Sequence, residues 1–221
     1  MDTTPVIPPN LFALSAVPMA EIFAGNAESL NRELTDLILG IEASEAAYRN
    51  SVKRDTQQGI FESRFDFHKR PEPPARALFQ FLHAALCALV KDLNGYTSEE
   101  MQRISFDYHT WFHITRTGGY QGVHNHPNAS WSGIYCIDAG DETDDINSGA
   151  VRFHDARGSA EMYSDPGNER MRSPYRHGGL HLRHQAGRLI VFPSYLMHEV
   201  FAYTGQRPRI VAAFNAWCRW R

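Results

Sequence analysis

The chain has 221 residues, 43% of them hydrophobic and 21% charged, a composition that suits one globular domain and excludes a disordered or fibrous chain. Its 22 basic and 25 acidic side chains leave a net charge of −3, so nothing draws it electrostatically to a nucleic-acid backbone. Three widely spaced cysteines, Cys87, Cys136 and Cys218, read as free thiols of a reducing compartment.

Met1 to Pro9 lacks a basic start and is broken by Pro5, Pro8 and Pro9, so no secretory signal is expected. The longest apolar run, Ala75 to Val90, carries Arg76, Gln80 and His83 and is short for a bilayer. The expectation is a soluble cytoplasmic protein that engages neither membrane nor nucleic acid, with self-association left open.

Two helices are expected in the first hundred residues. Asn26 can cap one whose Leu30, Leu34, Leu37, Ile38 and Ile41 recur at helical spacing. Pro73-Pro74 opens a second through Leu78, Leu82, Leu86 and Leu89, ending near Asn94-Gly95. That helix is apolar nearly all round, which predicts burial against a sheet. Val52 to Arg70 reads as loop with short strands.

From Ile104 the period changes to two. Ile104, Phe106, Tyr108, Phe112 and Ile114 share one face, and Asp107, His109, Trp111 and His113 the other. Gly118-Gly119 breaks the run. Further strands are expected at 123–126, 130–137, 150–154, 188–192, 199–203 and 210–218. An acidic loop spans 138–148 and an irregular insertion spans 158–178. One domain over 1–221 follows, with a helical support region at 1–100 and a β core at 101–221. The class is α+β, mainly β.

The chain holds eleven histidines, most of them in this second half. In a strand, residues i and i+2 project from one face, so His124 and His126 can converge on one ion. Imidazole suits iron, zinc, copper and nickel. His198, 72 residues after His126, follows a turn and a buried strand and can complete the set. If Thr204-Gly205 forms a two-residue hairpin loop, His198 pairs with Val211 and Arg209 becomes its same-face neighbour, with Cβ atoms roughly 7 Å apart. A small dicarboxylate could then chelate the metal and meet the guanidinium. Weaker candidates are His109 and His113 as pocket walls, and His177, His181 and His184 as a second metal cluster. Arg152 and Arg183 could hold an anionic substrate.

The pattern His124-x-His126, His198, Arg209 resembles the iron(II)/2-oxoglutarate-dependent dioxygenases, and more narrowly a bacterial and phage group carrying His-x-His with Ser-Gly-x-Tyr, here Ser132-Gly133-Ile134-Tyr135. Gly149 to Phe153, Gly187 to Pro193 and Arg209 to Asn215 fit the same pattern. The resemblance implies a double-stranded β-helix, or jelly roll, with N-terminal helices packed against it. It implies Fe(II) on His124, His126 and His198, and 2-oxoglutarate as cosubstrate held by Arg209, with Asn128 and Ser130 as further candidate contacts. The implied reaction hydroxylates a small-molecule or protein substrate and releases succinate and CO2. His126 stands where the family usually has a carboxylate ligand, which leaves the metal more positive and disfavours halogenation. Val211 stands where many relatives have serine. Two other readings remain: a metal-binding cupin that uses no 2-oxoglutarate, and an inactive jelly roll serving as a binding module.

Overall fold

The computed structural model describes residues 13–14, 16–157 and 163–221. Met1 to Pro9 and the start of the 158–178 insertion lie outside the described residues. In chain order the elements are β1 (Ala20–Phe23), α1 (Ala27–Ser44), β2 (Gln57–Glu62), α2 (Pro73–Asn94), α3 (Ser98–Gln102), β3 (Ile104–His124), β4 (Trp131–Asp138), β5 (Val151–Phe153), β6 (Leu180–Leu182), β7 (Arg188–Pro193), β8 (His198–Val200) and β9 (Arg209–Trp220). The nine strands form one antiparallel sheet in the order β1-β7-β4-β9-β3-β8-β5-β6, with β2 also paired to β3.

The sheet rolls up on itself. Phe192 of β7 and Phe153 of β5 lie far apart in strand order, yet their rings meet edge to face at 4.8 Å. Such closure hides an inner face, and Val151, Phe153, Ile190, Phe192 and Leu196 form its apolar cluster. The outcome is the jelly roll expected from the sequence.

The outer face of the larger half carries the helices. Tyr108, Phe112 and Ile114 of β3, Tyr135 and Ile137 of β4 and Ile210 and Ala212 of β9 pack there with Leu34 and Ile38 of α1 and Leu78, Leu82 and Leu86 of α2. The period-two reading of β3 is therefore correct, with Trp111, His113 and Thr115 on the inner side. Tyr135 donates its hydroxyl hydrogen to Asn31 Oδ1 at 2.7 Å, which pins α1 to β4.

Several expectations need correction. α2 starts at Pro73-Pro74 and ends on Gly95 at φ 66°, as its start and stop residues indicate. By length and composition it could cross a membrane, but its buried stripe of Ala75, Leu78, Leu82, Leu86 and Val90 packs within the protein core. It is buried on that stripe and not all round, and Leu93 stays exposed. Asn26 precedes α1 without a side-chain cap; its carbonyl instead accepts from the Leu30 amide. β1 and β2 join the sheet, so the first hundred residues are not helical support alone.

Gly118-Gly119 does not end the strand. β3 runs on to His124, and its partners change along the way. Residues 104–115 pair with β9, residues 113–115 and 120–121 with β2, and Gln121 and His124 with β8. The turn between the two stretches needs glycine. A Cβ on Gly119 would come 2.6 Å from the Gly59 carbonyl oxygen, and Gly59 itself sits at φ 64°.

Candidate metal and dicarboxylate site

His124 closes β3 and His198 opens β8, and the two stand directly opposite in the β3–β8 register. His126 lies two residues beyond β3, where its amide donates to the Ser194 carbonyl at 2.8 Å. The three imidazoles each offer a ligand atom, and these atoms all lie within 4.8 Å of one another. They are the one group of three metal-ligating side chains among the described residues; His177, His181 and His184 form no such group.

Carbonyl partners set the protonation of two of them. His124 Nδ1–H donates to the Gly122 carbonyl at 2.8 Å and His198 Nδ1–H to the Leu196 carbonyl at 2.9 Å. A carbonyl only accepts, so each ring keeps its Nε2 lone pair for an ion. The Gln121 side-chain amide lies 3.2 Å from His124 Nε2 and can donate to that lone pair. Burial holds all three rings in their neutral, ligating form, lowering His126 to about 4 and His198 to about 3, with His124 shifted the same way.

The triad opens into a cavity lined by Trp111, His113 and Thr115 of β3, Ser132 and Ile134 of β4, Phe192 of β7 and Arg209, Val211 and Ala213 of β9. Arg209 is 3% exposed. One guanidinium nitrogen reaches Thr115 Oγ1 at a long 3.5 Å, and its buried Nε has no partner among the described residues. Burial lowers its pKa to about 10, so it still carries its charge at neutral pH. Gly149 makes room for it, since a Cβ there would approach Arg209 Cδ to 3.0 Å. A buried cation without an anion is costly, so this pocket fits a ligand carboxylate. The three imidazoles likewise fit iron(II).

Arg209 reaches the cavity by another route than the expected hairpin. β8 and β9 do not pair; β3 lies between them, with His124 opposite His198 on one side and Thr115 opposite Arg209 on the other. Val211 faces His113, not His198. Asn128 and Ser130 are exposed and do not line the cavity: the Asn128 carbonyl accepts from the Trp217 indole, and the Ser130 amide donates to Ala216. Ser132 takes the inward place instead. His109 is exposed, Arg152 pairs with Glu199 beside His154, and Arg183 is exposed.

Residues that sequence reasoning missed include Glu62, Ser194 and Asn215. Glu62 is buried on β2 opposite His113, 2.9 Å from its Nε2, and also takes bonds from Arg54 and Asn50. Its place in a charged stretch gave no sign of burial. Asn215 sits at an inward position of β9, where a polar side chain is a recoverable signal, whereas Ser194 lies in the turn just after β7.

Solved structures with this architecture include a prolyl-4-hydroxylase of Pseudomonas putida (TM-score 0.61, 16% identity, 92% of either chain covered). A prolyl hydroxylase of Trichoplax adhaerens, solved with a hypoxia-inducible-factor peptide, gives 0.59 at 15% identity over 90% of this chain and 83% of its own. HygX of Streptomyces hygroscopicus, solved with nickel, 2-oxoglutarate and hygromycin B, gives 0.58 at 9% identity, covering 91% and 83%. No curated protein matches the chain. Residues 109–215 match the family described as "Putative 2OG-Fe(II) oxygenase", a segment that holds all three histidines and Arg209. That match, over just under half of the chain, and the fold liken it to the 2OG-Fe(II) oxygenases, enzymes that depend on iron(II) and 2-oxoglutarate.

Proposed function

We propose that the protein hydroxylates an organic substrate, a small molecule or a protein side chain, with release of succinate and CO2. The observation that carries this reading is the charged, buried Arg209, its Nε unpartnered, in the same cavity as three neutral imidazoles. His124, His126 and His198 would hold iron(II), and Arg209 would pair with the distal carboxylate of 2-oxoglutarate. When bound, the iron and its cosubstrate supply the activation of dioxygen that oxidises the substrate. The chain contributes the rest. Phe192, Ile134 and Ala213 keep the cavity apolar and limit water, and Thr115 steadies the guanidinium. Val211 offers no hydrogen bond where many relatives have serine, so the Arg209 pair carries more of the tail's recognition. Arg209 has no such part in a cupin, which sets that alternative behind.

The test is an anaerobic titration of 2-oxoglutarate into Fe(II)-loaded protein, read by binding heat and the visible charge-transfer band. Arg209→Ala should keep the metal and lose about 2–5 kcal/mol of 2-oxoglutarate binding. Admitting oxygen should then give succinate from the wild type. A wild type that holds iron but binds no 2-oxoglutarate would favour the cupin reading, and one that yields no succinate would remove the proposed reaction.

A further inference from the structure

Two of the three histidines have their protonation dictated by carbonyl groups, and the third does not. The Nδ1 of His126 faces the side-chain amide of Asn215, with Nδ2 of that residue 3.3 Å away. Asn215 lies on β9 opposite Ser132 of β4, whose hydroxyl is 2.7 Å from Asn215 Oδ1 and 2.8 Å from Ser194 Oγ. Both serines are buried, at 2% and 0% exposure. Ser194 is further tied by its backbone, which donates to Ser130 and accepts from the His126 amide. A continuous polar chain thus runs Ser194–Ser132–Asn215–His126.

A carboxamide is nearly symmetric in shape but not in chemistry. With its oxygen toward Ser132, Asn215 donates to His126 Nδ1, and the single proton of the neutral ring must sit on Nε2. After a half-turn of the amide the same contacts survive with every direction reversed. Asn215 then donates to Ser132, Ser132 to Ser194, and the amide oxygen accepts from His126 Nδ1–H. Only in that second state does Nε2 have a lone pair to give a metal, as it always has in His124 and His198.

We infer that Asn215 is the positioning residue that decides whether His126 ligates the metal, acting through the amide orientation that Ser132 and Ser194 hold. This rests on the three-histidine reading of the site. It means that the position usually filled by a carboxylate is filled here by a conditional ligand: the ion must turn the amide to gain its third imidazole.

Two measurements test this, both with metal alone and without 2-oxoglutarate. The first is Zn(II) affinity. Asn215→Asp presents only acceptors, so it holds the proton on Nδ1 and should tighten binding. Asn215→Leu removes the acceptor and should weaken binding by about 10–100-fold. In a His126→Ala background neither change should alter affinity further. The second is nitrogen-15 NMR of labelled histidine in the wild type. His126 should be an Nε2–H ring without metal and an Nδ1–H ring with Zn(II), while His124 and His198 are Nδ1–H in both. The inference is overturned if Asn215→Leu folds and binds Zn(II) as tightly as wild type, or if the His126 tautomer is the same with and without metal. Should Asn215→Leu fail to fold, Asn215→Asp and the wild-type spectra decide. A wild type that binds no metal removes the three-histidine site itself, which is a separate result.

Discussion

Among single residues, Glu62 shows how much a buried carboxylate can depend on its partners. Burial works to raise its pKa, yet the hydrogen bonds and charges of His113 and Arg54 outweigh it and lower the group to about 2. A carboxylate whose folded pKa lies below its unfolded value stabilises the fold above the unfolded pKa, ordinarily near 4.5. That contribution is lost as the pH falls from there toward 2. Glu62→Gln should therefore cost about 1–3 kcal/mol at pH 7 in chemical unfolding. The gap to wild type should narrow steadily below pH 4.5, and a gap independent of pH would show that packing rather than charge is at stake. The sequence made His113 a candidate pocket wall, which it is, but nothing near it in the chain pointed to Glu62, 51 residues away and brought opposite by strand pairing.

Among elements, β3 decides most of the site. Its first part supplies Trp111, His113 and Thr115 to the cavity, and its last residue is His124 of the histidine triad. The bend between them rests on the close approach of Gly119 to Gly59. A methyl at 119 would meet the Gly59 carbonyl at 2.6 Å and the Arg116 carbonyl at 2.8 Å, both backbone atoms with little room to yield. Gly119→Ala should destabilise the protein by about 1–3 kcal/mol. It should also weaken metal binding, because the shift is passed directly to His124. Far from the site, Gly95→Ala has open space and serves as a control: strained by its φ of 66°, it should cost stability but leave metal affinity unchanged.

For the whole molecule, the site is where the rolled sheet meets itself. β8, carrying His198, belongs to the short half, while β9, carrying Arg209, belongs to the helix-backed half, and only β3 touches both. Ligands that bridge the halves should lock the roll. Nickel(II) with 2-oxoglutarate, each at about 100 times its dissociation constant, should raise unfolding stability by about 2.7 kcal/mol for each ligand, read as a rise in Tm. In Arg209→Ala only the metal's share should remain. A 2-oxoglutarate share that survives in the variant would mean that the cosubstrate is held elsewhere.

The sequence by itself determined the two long helices, the alternation of β3 and the pair His124 and His126, because each rests on a local period: 3.6 residues for a helix, two for a strand. It also singled out His198 and Arg209 through their spacing and their family resemblance. Only the tertiary structure decided how those last two come together. The expected hairpin between β8 and β9 is locally reasonable, but strand partners are chosen by which faces can be buried, and inserting β3 between them closes the roll. The same long-range choice turned Gly118-Gly119 from an end into a bend and put Ser132 inside and Ser130 outside. It also set Asn215 beside His126, 89 residues away, where no local pattern could have placed it.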